Sequence, residues 1–351
     1  MQLVQAMNGL EQAYLTRVRQ AVESRLTVQP FQVTGTGQTA AARAACNKTQ
    51  RLMRLPPLSR WILLFGCTIV FSAFKQAGFA ATSQESPAAS LLAVPARTWA
   101  VDCANDEVLV IQHPNSHLHY RLHVVDGKGD QVRDQIETPE GTVSRLIRRD
   151  GRPLTPQEDA EERNRLNALA ASPATFARHI RHDEENRKSG IELIGMMPNA
   201  MLWTYAPGQP QLPDQPAGAP ALIVLDFAPN PKWSPPTLES ELLTGIQGRV
   251  WIDPRTRNMV HLEASVVRAV NIGWGMLAHI YPGGTVTLQQ TNAGGQRWIM
   301  SHIVEQLTLQ ALIVKTVKQR LVFDVTHVQT ISPMGYQQAI RLLLDTPLPV
   351  R

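Results

Sequence analysis

The sequence predicts an α+β chain, mainly antiparallel β, with a few helices covering one face of a strongly curved sheet. Three observations carry this. From residue 116 onward, apolar residues alternate with polar ones at period two and are interrupted by Gly, Asp and Asn turns. Between 155 and 188 the pattern changes to two charged segments, each opened by a helix-start signal. No period of 20–50 residues repeats, which argues against a solenoid or propeller.

Taken in order, residues 81–112 are rich in Ala, Ser and Pro at their start and read as a flexible entry segment, with a short helix around 89–94. Residues 116–125, 131–138 and 142–149 form a meander whose turns are Asp126-Gly127-Lys128-Gly129 and Asp150-Gly151. Thr155-Pro156-Gln157-Glu158 reads as a capping box with proline at the first helical position, opening a helix through 171. Ser172-Pro173 repeats the device for a helix over 174–188, expected to stop at Gly190. Residues 191–202 are apolar but broken by Gly195 and Pro198. Strands are expected again at 201–206, 221–227, 249–252, 259–270, 285–291, 297–307 and across 309–328, with a closing helix at 336–344.

The charge is unevenly placed. The chain has 351 residues and a formal net charge of +5, but nine of its 34 basic residues and only two of its 29 acidic ones precede residue 81. The remainder carries 25 bases against 27 acids. The basic character belongs to a leader, and a body without a cationic face is not expected to bind nucleic acid. Within the leader, residues 61–74 form an apolar run preceded by Arg51, Arg54 and Arg60 and followed by Gly78 and Ala80 at small-x-small spacing. That is the layout of a secretory signal. Met53 would begin a 28-residue signal over 53–80, which leaves 1–52 as an N-terminal extension. Fourteen apolar residues in a helix span roughly 21 Å, short of a ~30 Å hydrocarbon core, so cleavage is expected over anchoring by an uncleaved signal. A chain beginning at 81 retains Cys103 alone and forms no internal disulfide.

The motifs Gly248-Arg-Val-Trp-Ile-Asp253, Gly273-Trp-Gly-Met-Leu277 and Arg297-Trp-Ile-Met300 carry a family resemblance. Tyr120 with its Asp126–Gly129 turn, and the run from Leu146 to Thr155, add to it. The chain resembles the periplasmic lipoprotein-carrier (LolA-type) superfamily over roughly residues 115–330, and most of all its uncharacterised exported bacterial members. The resemblance implies a half-barrel at 113–345 with a helical lid at about 155–202, and a bacterial envelope protein that binds or carries a lipid or acyl group without catalysis. A carrier of this kind is expected to hold its lid with a positioned basic residue, and none is assigned here. Expected partners are an apolar small molecule or lipid, with envelope proteins and the membrane surface as further candidates. No cofactor is expected. Candidate cavity or lid residues are Ile194, Met196, Met197, Met201, Trp203, Trp251 and Trp274. Thioether chains adapt to irregular apolar partners, although such stripes are more often plain core.

His113, His117, His119 and His123 crowd into eleven residues. On a strand, His117, His119 and His123 share one face with Arg121, and His-x-His is a credible zinc pair. The runner-up reading is therefore an exported zinc-dependent hydrolase; the charge of Arg121 and the lack of a spaced acidic base oppose it. A third reading is an envelope protein-interaction or stress-sensing domain. The acidic runs at 158–162 and 183–185 read as solvated helix faces. No nucleophile elbow, P-loop, Rossmann fingerprint, H-E-x-x-H or C-x-x-C occurs.

Overall fold

Among the described residues, thirteen antiparallel strands form one open sheet, and helices are set against it. The computed structural model describes residues 87–215, 218–272, 278–311 and 315–348. The leader, with its signal-like run, lies outside the described residues, as does Trp274. In chain order the elements are helices α1 (Pro87–Leu92) and α2 (Ala96–Gln112), then strands β1 (His117–Asp126), β2 (Gly129–Thr138), β3 (Gly141–Arg149) and β4 (Arg152–Pro153). Helices α3 (Pro156–Ala171) and α4 (Pro173–Ala200) follow. Next come β5 (Met201–Tyr205), β6 (Ile223–Pro229), a 3-10 turn (Glu239–Thr244), β7 (Ile246–Ile252), β8 (Met259–Val266), β9 (Val270–Ile272) and β10 (Ala278–Ile280). β11 (Thr285–Asn292), β12 (Trp298–Ala311), β13 (Lys315–Ile331) and α5 (Tyr336–Asp345) complete the chain. The strand order is β4-β3-β2-β1-β13-β12-β11-β8-β7-β6-β5, with β10 paired to β12 and β9 to β10. The long β13 therefore closes back beside β1, joining the N-terminal meander to the C-terminal one.

Turn chemistry places the hairpins where the sequence predicts them. Asp126 pairs with Gly129 across the first turn, and the Asp126 carboxylate accepts from the Lys128 N–H at 2.7 Å. Asp150 and Gly151 both adopt positive φ, the backbone a two-residue hairpin needs. The Asn292 side chain accepts from the Gly294 N–H at 2.7 Å in the β11–β12 turn. In the Pro/Gly-rich loop after β5, the carboxamides of Gln209 and Gln211 bond the backbone of Val224 and Leu222, extending β6 pairing with side chains where no strand continues.

The helices follow the sequence at their starts and depart from it at their lengths. The Thr155–Glu158 capping box forms in both directions, and Ser172 caps α4. The helix expected to stop at Gly190 instead runs through Gly190 and Gly195 to Ala200. Each glycine costs roughly 1 kcal/mol in a helix interior. Burial of Leu193 and Ala200, with packing of Met196 and Met197 against the core, offsets this. Proline at 198 is accommodated in the last turn, and Arg97 fastens that turn by donating to the Pro198 carbonyl and the Asn199 side chain.

The entry segment is a second correction. Residues 96–112 are helix α2, not a flexible entry, because Trp99, Ala100, Cys103, Ala104 and Glu107 make a buried stripe. The Trp99 ring is fully buried, with the Arg257 guanidinium 3.9 Å over its face.

Two cores result. The larger gathers α2, α4 and residues from β1, β6, β7, β8, β11, β12 and β13. The smaller lies under α3 and α5, where Ile136, Val143, Leu166 and Ile340 surround a Phe176–Tyr336 stack with centroids 3.8 Å apart. Arg145, almost wholly buried, clamps this second core. It donates to the Leu343 and Thr346 carbonyls at the end of α5 and to Asp159 of α3. The acidic run at 158–162 is accordingly no plain solvated face. Asp159 holds Arg145, and buried Glu162 accepts from the Leu146 N–H at 2.7 Å.

Candidate functional site

A cavity of about 410 Å³ opens beside the larger core, between α2, α4 and the sheet. Each element contributes by its own periodicity. Helix α2 presents Cys103 and Glu107, one turn apart, and α4 presents Ile194 and Met197. From the strands come Val250 and Ile252 on β7, Leu262 on β8, Leu288 and Gln290 on β11, and Trp203 on β5. Period two keeps each strand pair on one face. A β-bulge between Gln289 and Gln290, where the β12 partner skips from His302 to Met300, falls at the point where Gln290 and Met300 meet the cavity.

The lining is mainly apolar, and two of its polar pairs are hydrogen-bonded within it. At the buried one, Glu107 accepts from the Met259 N–H at 3.3 Å and from the Gln290 carboxamide at 2.8 Å. Burial pushes the Glu107 carboxyl above its ordinary range, and these two donors pull the other way. Burial, with the nearby Glu107 charge, also holds the Cys103 thiol well above its usual value, which makes it an unreactive wall residue. At the second station one Arg297 amino group donates to both oxygens of Glu137 at 3.0 Å. Burial raises the Glu137 carboxyl, and Arg297 opposes the shift. Exposed Glu140 and Glu184, with Asp183 and Arg187, form a charged rim on this side.

The structure distributes the predicted residues unequally. Ile194, Met197 and Trp203 line the cavity. Met196 and Met201 pack into the larger core without lining it, Met201 being nearly fully buried. Trp251 is a correction: it points to the opposite face of the sheet from Val250 and Ile252. There it is buried with Ala206, Leu222 and Val224 and donates to the Pro210 carbonyl at 2.8 Å. Strand alternation accounts for this directly. Choosing Val250 and Ile252 for the cavity obliges Trp251 to leave it.

The histidine strand alternates as the sequence predicts. Leu118, Tyr120 and Leu122 are buried, and His119, Arg121 and His123 share the half-exposed face, whereas His117 at the start of β1 lines the cavity. Two of the imidazoles are occupied by carboxylates from β2: His119 with Asp134 at 2.8 Å and His123 with Asp130 at 2.9 Å. These partners sit across the hairpin and do not show in a local spacing. Among the described residues no group of three or more His, Cys, Asp or Glu is arranged to hold a metal ion. No helix among them is long and apolar enough to cross a membrane.

Glu107, Gln290, Glu137 and Arg297 are absent from the sequence-based candidates. Glu107 is nonetheless detectable: it falls on the same helical stripe as Trp99 and Cys103, one polar residue in an apolar register. Gln290 likewise stands where Leu288 and period two predict an apolar side chain. Comparison with family models and with curated proteins finds no match for the chain.

Proposed function

We propose that this chain is an exported, non-enzymatic binding or carrier protein for an apolar ligand, a lipid or acyl group, in the bacterial envelope. In this reading the sheet is a curved half-barrel of LolA type, and α3 and α4 act as its lid. The signal-like leader directs the chain to the periplasm. The observation that carries the reading is the cavity. Its volume falls in the range of small-molecule sites, and apolar side chains form most of its exposed wall, with polar and charged residues interspersed and gathered toward the rim. An open sheet must cover such a wall or fill it, and each methylene moved into it from water contributes about 0.8 kcal/mol. Met197 and Ile194 on α4 supply a deformable side to the cavity, which suits chains of varied shape.

Titration of the purified full chain with a fluorescent fatty acid tests this. Saturable binding is expected, and Ile194→Trp, which places a larger ring into the cavity, is expected to weaken it by about tenfold or more. Absence of saturable binding, or binding indifferent to Ile194→Trp, would remove the apolar-cargo reading.

A further inference from the structure

The buried end of the cavity contains more polarity than an unsubstituted acyl chain can use. Gln290 is 8% exposed and lines the cavity beside Leu288. Its amide nitrogen donates to Glu107, which stands on the facing helix α2. Both carboxylate oxygens of Glu107 accept, one from Met259 and one from Gln290. That requirement turns the amide nitrogen toward Glu107 and leaves the other end of the carboxamide unserved. The Gln290 carbonyl oxygen is indeed buried without a hydrogen-bond partner. A buried acceptor without a donor is a standing cost. Burial raises the Glu107 carboxyl and its two donors oppose the shift, so the pair forms a polar station within apolar walls.

We infer that this station reads the cargo: the Gln290 carbonyl oxygen, oriented by Glu107, accepts a hydrogen bond from a hydroxyl on an otherwise apolar chain. The inference rests on the carrier reading and narrows it to hydroxyl-bearing lipids. A hydroxyl is the smallest group that satisfies the acceptor without bringing a charge into the cavity. Aliphatic walls around it, Leu262 and Leu288 among them, take the remainder of the chain. Glu107 acts here as a positioning residue, since it holds the amide and its own oxygens are already engaged.

Displacement of a bound fluorescent fatty acid from the full chain tests the inference with three competitors of equal length: tetradecanoate, 3-hydroxytetradecanoate and 14-hydroxytetradecanoate. At least one hydroxylated acid is expected to compete about tenfold better than tetradecanoate, the effect of one additional satisfied hydrogen bond. In Gln290→Met that ratio is expected to fall to about one. Equal competition by all three acids in the unsubstituted protein overturns the hydroxyl inference while leaving an apolar carrier. Survival of the preference in Gln290→Met overturns the assignment of Gln290. Failure of every acid to compete overturns both readings. The first comparison needs no variant, so it stands even if Gln290→Met folds poorly.

Discussion

Under α3 and α5 the chain closes on itself. Leu166, Ala339 and Ile340 are fully buried, the Phe176 and Tyr336 rings stack, and Arg145 ties two helices to β3. Under α2 and α4 the same sheet keeps about 410 Å³ open. Polar atoms without partners occur in both regions, on Gln290, Arg297 and Trp203 here and at Arg145 Nε and the Tyr336 hydroxyl there. Both regions use aliphatic strands beneath helices, so composition does not separate them. The difference lies in who supplies the final contacts. In the smaller core the protein's own side chains fill the space between helices and sheet; in the larger a cavity remains, which the proposed function gives to a ligand.

That contrast can be broken most forcefully at the clamp. Arg145→Ala removes the donor shared by Asp159 and two helix-end carbonyls, and is expected to cost about 3–5 kcal/mol in urea unfolding. A loss below about 1 kcal/mol would show the clamp to be idle. Leu166→Ala, in the filled core, is expected to cost about 2–5 kcal/mol by the same measurement. Met197→Ala, facing the open region, should cost about 1 kcal/mol or less yet weaken fatty-acid binding several-fold. Equal stability losses at 166 and 197 would erase the distinction between the cores.

A pH experiment sharpens the comparison from a third place. Glu305 on β12 is almost fully buried with one weak side-chain partner, Gln319 at 3.3 Å, and burial pushes its carboxyl up to about 7. Because the folded chain binds this proton more tightly than the unfolded chain, stability is expected to fall as pH rises from about 4.5 through about 7. A tenfold difference in proton affinity between the two states is worth roughly 1.4 kcal/mol, so the loss approaches about 3 kcal/mol above pH 8. Glu305→Gln should remove this part of the slope, so that the variant gains on the parent chain between about pH 5 and pH 8. A variant with an unchanged slope would show the carboxyl to titrate normally. A similarly small loss is expected at the start of α3, where Thr155→Ala should cost about 1 kcal/mol through its cap alone.

Much of the scaffold is legible in the sequence because its signals are local. The Thr155–Glu158 box and the Asp150-Gly151 turn each act within a few residues and form as predicted, and Asn292 closes the β11–β12 turn by the same local chemistry. Helix α2 and the second half of α4 escape a local reading because tertiary burial, not propensity, sustains them. Trp99 and Leu193 gain more from the core than Gly190, Gly195 and the Pro-flanked start lose. At the cavity, apolar clustering finds Ile194, Met197 and Trp203. Trp251 misleads because a large ring draws weight ahead of the parity of its strand. Glu107 and Gln290 each look ordinary alone; their meaning arises from a contact between helix and strand 183 residues apart.

Native mass spectrometry of the chain purified from cells without added detergent tests the central claim most directly. The expected result is a population heavier than the bare polypeptide by one lipid-sized molecule, released by solvent extraction and carrying a hydroxyl. A bare polypeptide mass in every preparation, unchanged after incubation with fatty acids, would contradict it.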